Sequence, residues 1–211
     1  CGDLICFNVN TMEVVWVQDV LDDTNCTPVF ELNEETGEAS IYVGTSLHWT
    51  VDGNNTGVIP FWRIDALTGE VVWKAPGYRC TRSNVSGGIQ DTAALGKGKL
   101  SDLVYVAYAM TTETETRGLL VAYNKADGTE VWKKHLGAYA WSSPLILYDD
   151  NGDGYVVQCD SAGHMYLFDG RTGETLDRLD LEGNFEASPA AFDNMIVVGT
   201  RASKIYGVKL K

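Results

Sequence analysis

The stretch Arg63-Ile64-Asp65-Ala66-Leu67-Thr68-Gly69-Glu70-Val71-Val72-Trp73 decides the fold of this chain. Two short apolar runs flank a polar turn, a pattern that predicts a tight β-hairpin. Asp65 can accept hydrogen bonds from amides of the turn, and Gly69 can take the left-handed conformation that closes such a turn with a bulge. Trp73 ends the second strand with a large apolar ring, so it must be buried against another element.

The same pattern occurs three more times along the chain. The stretches 8–16 and 124–132 keep the spacing of eight residues between an Asp or Asn and a Trp. The stretch 169–177 keeps its Asp, Thr, Gly and Glu but ends on Asp177 instead of a Trp. The chain is therefore a repeat protein, and we expect the weakest boundary between repeats after the unit that contains Asp177. The residues expected to dock one repeat on the next are Asp65, Gly69, Trp16, Trp73 and Trp132.

A second pattern lies between the hairpins and supplies two more strands per repeat. It begins with a small residue and a Pro, at Thr27-Pro28, Ser143-Pro144 and Ser188-Pro189. Together the two patterns give about four strands in roughly 40–50 residues, which is the period of a β-propeller blade. A single four-stranded sheet is marginal, so each blade must bury its faces against its neighbours.

We therefore predict an all-β fold, a single β-propeller domain over residues 1–211. Residues 2–8 align with the middle of a later blade, and the last strand has no hairpin partner after it. The chain thus reads as a fragment with three complete four-stranded blades and two partial ones. The expected blades are 1–20 (partial), 26–77, 84–136, 141–183 and 185–211 (partial). Open edges of the partial blades would favour self-association.

The hairpin stretch 65–73 and its copies resemble the tryptophan-docking repeat of the pyrroloquinoline-quinone-like (PQQ-like) propellers. That family includes quinoprotein alcohol dehydrogenases and the non-catalytic scaffold lipoprotein of outer-membrane β-barrel assembly. The resemblance covers almost the whole chain and implies the propeller fold. It does not separate the two functions, because enzymes and scaffolds share the repeat.

Composition excludes some classes of partner. A net charge of −13 disfavours nucleic acid and anionic membrane surfaces, and the sequence has no basic stripe. No apolar run approaches the roughly 18 residues that a membrane-spanning helix needs. The acidity, the polar loops and the resemblance together indicate an extracytoplasmic protein, whether secreted, periplasmic or at the cell surface.

The five cysteines contain no CxxC pair, so the sequence does not predict zinc binding or thioredoxin-like chemistry. Cys26 and Cys80 each precede the first strand of a blade. They could form a disulfide, or both could be buried free thiols. Cys1 could be the modified cysteine of a lipoprotein, which is the alternative to a fragment that starts within a blade.

One turn carries the residues of a calcium site. The stretch 149–154 fits the pattern D-x-[DN]-x-[DN]-G, in which alternating oxygen side chains wrap a cation around a Gly. The predicted ligands are Asp149, Asn151 and Asp153, with Asp160 at the twelfth position. The alternative is a polar hairpin turn that binds nothing.

Four aromatic residues outside the docking set are expected in the loops on one face of the disc. Trp49 and Trp62 flank the first long loop, and Tyr139 and Trp141 lie in a connection between blades. They predict a platform for a peptide or a sugar. The alternative is ordinary packing beneath the loops.

Enzymatic function finds little support in the sequence. The resemblance implies that a quinone enzyme needs a vicinal disulfide, an indole and a calcium ion held by Glu, Asn and Asp, yet no two cysteines are adjacent. PQQ is therefore disfavoured as a cofactor. His48, His135 and His164 lie in different blades and predict no hydrolase. We thus expect a non-catalytic scaffold that binds a protein or glycan partner, and the alternative is the propeller portion of a PQQ- and calcium-dependent dehydrogenase.

Overall fold

The computed structural model describes residues 2–113, 115 and 117–210. Cys1, and with it the lipoprotein hypothesis, lies outside the described residues. Within those residues, no helix has the length and apolar character needed to cross a membrane. The helical content described is one 3-10 turn, Gly98–Leu100.

Five antiparallel sheets follow one another along the chain. The first sheet pairs β1 (Asp3–Phe7) with β2 (Val14–Asp19). The second contains β3 (Val29–Leu32), β4 (Ala39–Gly44), β5 (Thr56–Asp65) and β6 (Val71–Thr81). The third contains β7 (Ala94–Leu95), β8 (Leu103–Ala109), β9 (Gly118–Asn124) and β10 (Glu130–Leu136). The fourth contains β11 (Leu145–Tyr148), β12 (Gly154–Cys159), β13 (His164–Asp169) and β14 (Thr175–Asp180). The fifth contains β15 (Ala190–Phe192), β16 (Met195–Gly199) and β17 (Ile205–Lys209).

This arrangement confirms the predicted all-β fold class, with three complete four-stranded blades between two partial ones. In each sheet the strands lie in chain order, so sequence neighbours are hydrogen-bonded neighbours. Because they alternate in direction, the first and third turns of each blade lie on one face of the disc, here called the turn face. The loop between the second and third strands and the connection to the next blade lie on the opposite face, here called the loop face.

Three indoles join the first four sheets, one at each boundary. Each ring projects from the last strand of its sheet and is only 8–9% exposed. Each indole N–H donates to a backbone carbonyl in the third turn of the following blade. The three pairs are Trp16 Nε1 to Ala66 O (3.1 Å), Trp73 Nε1 to Lys125 O (2.8 Å) and Trp132 Nε1 to Gly170 O (3.0 Å). Blades are thus fixed to one another by a directional hydrogen bond as well as by apolar burial.

Each of those turns also contains a glycine that the ring covers. The backbone of Gly128 has φ +72°, and a Cβ placed on it would lie 2.7 Å from the Trp73 ring. Gly69 and Gly173 stand in the same relation to Trp16 and Trp132. The Asx residue that begins each turn fixes it: Asp65 Oδ1 accepts the amides of Leu67 and Thr68, at 2.9 and 2.8 Å.

We expect Gly128→Ala to lower the free energy of unfolding by about 2–4 kcal/mol, because it adds a clash with the indole to the cost of a left-handed backbone. Gly37→Ala is the matched control, since Gly37 has φ +76° and nothing within 4 Å of an added Cβ. The control should lose only about 1 kcal/mol, the backbone term alone. Denaturant unfolding of both variants measures the difference, and equal losses would show that the ring contact adds nothing.

Among the described residues, no indole lies at the boundary after the fourth sheet. Asp177 pairs with Leu167 at the register where Trp73 pairs with Arg63, and all six residues of β14 are exposed. A separate apolar cluster holds this boundary instead, with Phe185 fully buried among residues of β12, β13 and β16. The expectation that it is the weakest boundary stays a prediction.

The structure distinguishes between the two alternatives for Cys26 and Cys80, a disulfide or two buried free thiols. Cys26 and Cys80 are both buried free thiols, so no disulfide joins them. Cys26 Sγ lies 3.2 Å from the carbonyl of Gly44, while burial raises the pKa of Cys80 to about 12. Both thiols therefore behave as small core groups and are poor nucleophiles.

Candidate functional site on the loop face

A buried carboxylate fixes the long loop of the second sheet. Asp22, in the connection between β2 and β3, is completely buried. Its oxygens accept the amides of His48, Trp49 and Thr50 at 2.9–3.1 Å, the Thr50 hydroxyl at 2.7 Å and the amide of Asp23 at 2.7 Å. Five donors on one carboxylate hold the loop backbone in a single conformation.

The same hydrogen bonds determine the charge of Asp22. Burial raises the pKa of this carboxyl, but the bonds from Thr50, Asp23 and Trp49 outweigh burial, and the net pKa lies below its ordinary value. The group is therefore ionised at neutral pH. Because the pKa is lowered on folding, this stabilisation is fully present above the unfolded pKa, near 4, and is lost as pH falls below it.

His48 links two connections across this loop. Its Nδ1 lies 3.0 Å from Asp23 Oδ2, and its Nε2 lies 3.0 Å from the Ser86 hydroxyl oxygen. An ionised carboxylate only accepts hydrogen bonds, so Nδ1 carries the proton of the neutral imidazole and Nε2 is left to accept from Ser86. The Arg82 guanidinium donates to the His48 carbonyl at 2.8 Å, which fixes the backbone from the other side.

Three of the four predicted surface aromatics lie around this group. Trp49 follows His48 directly and is 70% exposed. Tyr139 and Trp141 are half-buried with ring centroids 5.4 Å apart. Trp141 Nε1 donates to the carbonyl of Ser86 at 3.3 Å, so this aromatic pair is tied to the same connection as the His48 contact.

Trp62 does not belong to this surface, which corrects its sequence assignment. It lies in the middle of β5, is 5% exposed, and has the Lys74 ammonium 4.4 Å from its ring centroid. The long loop ends before Trp62 is reached, because β5 begins at Thr56 and runs through Pro60. The strand register shifts between Ile59 and Phe61, and such a bulge accommodates a residue that has no N–H for the ladder.

The predicted calcium turn is closed by its own hydrogen bonds. Asp149 Oδ1 accepts the amides of Asn151 (3.0 Å) and Asp153 (2.8 Å), and these bonds, that of Asp153 first, lower the pKa of Asp149. Asp153 Oδ1 accepts from the Lys99 ammonium at 2.7 Å. Within the described part of the chain, no three His, Cys, Asp or Glu side chains are grouped to hold a metal ion.

Asp160 is separated from this turn, and its assignment as a fourth ligand is corrected. The extended strand β12 lies between Asp153 and Asp160, a distance of roughly 20 Å at the usual rise per residue. Asp160 is buried at the loop face, where it accepts from His164 Nδ1 (2.8 Å), the Tyr166 hydroxyl (3.1 Å) and the Ala138 amide (3.1 Å).

Calcium binding by Asp149, Asn151 and Asp153 stays a prediction with a direct test. A ligand that binds only the folded chain raises its stability, so millimolar calcium should raise the melting temperature by a few degrees relative to chelator. Lys99→Ala should increase the response, because it removes a cation from Asp153. An identical midpoint in calcium and in chelator, for both chains, would exclude the site.

Asp22, Asp23 and Ser86 were not identified from the sequence. They are brought to His48 from connections on either side of the second sheet. The only sign of them in the sequence is the pair Asp22-Asp23 immediately after a strand that carries a docking Trp. Such a pair is also typical of an ordinary polar connection. Only the tertiary packing of three separate segments reveals the contacts.

The quinone requirements named above are not met by the residues described. The free thiols are Cys6, Cys26, Cys80 and Cys159, and none is adjacent to another in the sequence. No described carboxylate cluster can hold the accompanying cation. That PQQ is disfavoured as a cofactor stays a prediction.

Comparison with known proteins agrees with the propeller repeat predicted from the sequence. A family model described as "Outer membrane protein assembly factor BamB" matches residues 55–211. The structure of BamB from Moraxella catarrhalis superposes with a TM-score of 0.60 and 15% identity, over 99% of this chain and 52% of that one. The chain thus spans about half the length of that protein. A comparison with curated proteins finds no match.

Other solved structures share this fold, although their names describe different kinds of protein. The computationally designed Ika4 protein superposes with a TM-score of 0.58 and 15% identity, over 90% of this chain and 93% of that one. The quinohemoprotein alcohol dehydrogenase ADHIIG from Pseudomonas putida HK5 gives 0.58 and 16%, over 85% of this chain and 32% of that one. At these identities the likeness shows the fold alone.

Proposed function

Because the chain belongs to the PQQ-like propeller family whose model is described as outer membrane protein assembly factor BamB, we propose that it is an extracytoplasmic scaffold that binds a protein partner through its loop face. The family description supports a protein partner over a glycan. The net charge of −13 further suits a partner surface that is neutral or basic.

The observation that supports this proposal best is an exposed indole on a rigid loop. Trp49 is 70% exposed, yet its amide and those of its two neighbours are held by the buried Asp22. A large aromatic ring on a pre-ordered backbone loses little conformational entropy on binding, and Trp is enriched among the residues that dominate protein interfaces. Trp49 is the residue we expect to contribute most to partner affinity.

Site-specific photocrosslinking in the cells that make the protein tests the proposal. A photoreactive phenylalanine at position 49 should give one defined protein adduct. The matched control is position 67, because Leu67 is also 70% exposed but lies in a hairpin on the turn face. With the partner identified and purified, Trp49→Ala should weaken binding by about 2 kcal/mol or more, roughly 30-fold, whereas Leu67→Ala should change it less than threefold.

Equal adducts at positions 49 and 67, or none at 49, would contradict the loop face as the binding surface. Cell fractionation tests the location, since the scaffold proposal requires the chain outside the cytoplasm. An adduct at 49 that disappears after glycosidase treatment would point to a glycan instead.

The dehydrogenase portion is the second candidate, carried by the fold shared with the alcohol dehydrogenase structure. Titration of the full chain with PQQ and calcium, followed by quinone absorbance, separates the two. Saturable binding would favour the enzyme, and unchanged absorbance at high chain concentration would favour the scaffold.

A further inference from the structure

The contacts of His48 have the geometry of the catalytic triad of a serine hydrolase. A carboxylate, an imidazole and a hydroxyl are joined in order, Asp23 to His48 at 3.0 Å and His48 to Ser86 at 3.0 Å. We propose that Ser86 is an acyl-accepting nucleophile, that His48 is its general base, and that Asp23 positions the imidazole. This activity goes beyond the proposed scaffold function and does not depend on a partner.

The order of the donors meets the chemical requirement for such a site. Asp23 holds the proton on His48 Nδ1, so the lone pair of Nε2 faces the Ser86 hydroxyl. A serine hydroxyl is a weak nucleophile until an adjacent base takes its proton. The recognisable feature of such sites is this geometry and not the order of residues along the chain.

The backbone at His48 and the backbone at Ser86 are both held in place by hydrogen bonds to the surrounding fold. The His48 amide donates to buried Asp22, and its carbonyl accepts from Arg82. On the other side, the Ser86 carbonyl accepts from Trp141 Nε1, while the next carbonyl, of Gly87, accepts the Leu47 amide at 2.9 Å. A reacting pair fixed in this way needs little reorganisation at the moment of reaction.

Two backbone amides beside the hydroxyl in the chain are the candidates for stabilising a developing oxyanion. Among the described residues, the amides of Ser86 and Gly87 have no hydrogen-bond acceptor. Unpaired backbone amides next to a nucleophile are the usual source of oxyanion stabilisation. Gly87 itself is buried, and a Cβ on it would lie 2.4 Å from the Thr81 carbonyl oxygen, so the backbone at this position packs closely against its neighbours.

The site is accessible from solvent. The side chains of His48 and Asp23 are 21% and 42% exposed, and Ser86 is half-buried. Trp49, the residue after His48, offers an exposed apolar ring, while the carboxylates of Asp22 and Asp23 disfavour anionic groups. The substrate class that fits is therefore a neutral carboxylic ester with a flat apolar group.

The reaction balances without any further reactant except water. The Ser86 oxygen forms a bond to the ester carbonyl carbon, and its proton passes to His48 Nε2. The carbon–oxygen bond to the alcohol then breaks, the alcohol leaves with that proton, and the acyl group stays on Ser86. Water, deprotonated by the same imidazole, releases the carboxylic acid and restores the hydroxyl.

A fluorophosphonate probe tests the nucleophile directly. Its phosphorus forms a bond to the Ser86 oxygen, and fluoride leaves with the serine proton. We expect a single adduct on the peptide that contains Ser86 in the full chain, located by mass spectrometry. Ser86→Ala should abolish it, and Ser83→Ala is the matched control, because Ser83 is exposed in the same connection.

The role of His48 is read from rates and pH. His48→Gln should slow labelling, and hydrolysis of p-nitrophenyl acetate, by at least about 100-fold. The dependence of the labelling rate on pH should differ between the unsubstituted chain and the Gln variant, because glutamine has no ring nitrogen that can take the serine proton. Asp23→Asn should slow labelling and change the pH profile while Ser86 is still labelled.

Melting temperatures of all variants separate a structural role from a chemical one. Labelling that is absent from Ser86 in the folded, unsubstituted chain would overturn the proposal. Equal labelling rates in the unsubstituted and His48→Gln chains, at equal melting temperature, would also overturn it, because they would show that the contact is only a link between loops.

Discussion

Replacing Trp73 by Ala is expected to lower the free energy of unfolding by about 3–5 kcal/mol, the usual cost of deleting a buried indole. Its ring lies 6.1 Å from that of Tyr42 and 5.9 Å from that of Phe61 by centroids, and it covers Gly128 of the next sheet. The substitution therefore opens a cavity at the boundary between two complete blades. For a chain of this size each kcal/mol corresponds to roughly 2–4 °C, so the melting temperature should fall by roughly 6–20 °C.

The hydrogen bond contributes less than the ring to this effect. The Lys125 carbonyl also accepts from Arg63 Nη1 at 3.1 Å, so it stays paired when the indole is removed. Trp73→Phe should accordingly recover a large part of the loss. Trp49→Ala is the control of equal chemistry at an exposed position, and we expect it to change stability by less than about 0.5 kcal/mol. If calorimetry gave similar losses at positions 49 and 73, the indoles would not be what holds the blades together.

A second large effect is expected at Asp91, a buried carboxyl in the connection that leads into the third sheet. It is 1% exposed, its Oδ2 accepts the Ala107 amide at 3.0 Å, and its Oδ1 has no hydrogen-bond partner among the described residues. Burial raises the pKa of Asp91 to about 8, although the Ala107 bond opposes the shift. The nearby Cys26 thiol also has its pKa raised, by burial first and by Asp91 in addition.

The direction of the pH effect follows from the proton count. Below the unfolded pKa, near 4, both states hold the proton and Asp91 has no influence on stability. Between about 4 and 8 the folded state keeps a proton that the unfolded state has lost, so stability falls as pH rises. Above about 8 both states are ionised and the curve is flat. The slope can reach about 1.4 kcal/mol per pH unit.

Asp91→Asn should remove that slope. The amide oxygen can still accept from Ala107, and the group no longer ionises. At pH 8 we expect the variant to be more stable than the unsubstituted chain by about 1–3 kcal/mol, after allowing for an amide N–H₂ that lacks an acceptor. Denaturant unfolding at pH 5 and pH 8 measures both terms. Asp150→Asn is the control, because Asp150 is exposed, and a slope that persists in Asp91→Asn would assign it to another group.

The repeat could be predicted from the sequence because its determinants are local. Asp65, Gly69 and Trp73 lie within nine consecutive residues, and the same spacing recurs, so the hairpins and the fold class follow from pattern alone. The extent of β5 could not be predicted in this way. Pro60 is a strong loop signal by itself, and only pairing on both sides shows that a bulge absorbs it.

The candidate site was much less accessible to prediction, for two physical reasons. Asp160 occupies the twelfth position of a calcium pattern, but that pattern assumes a compact loop, and an extended strand carries Asp160 to the opposite face. His48 was judged by its neighbours in the chain, whereas its partners lie 25 and 38 residues away. Contacts of that kind depend on how three connections pack together, so they produce no characteristic spacing of residues in the sequence.

Each of the three indole hydrogen bonds between sheets joins a donor that is synthesised earlier to an acceptor that is synthesised later. The donor indole precedes its acceptor carbonyl by 50, 52 and 38 residues at the three boundaries, and never follows it. A ribosome delivers the chain from its N-terminus, so each finished sheet must wait, with its indole uncovered, until the following blade has been translated. Synthesis therefore adds these blades in one sense of rotation, and a pause within the second, third or fourth blade prolongs the exposure of the indole made just before it.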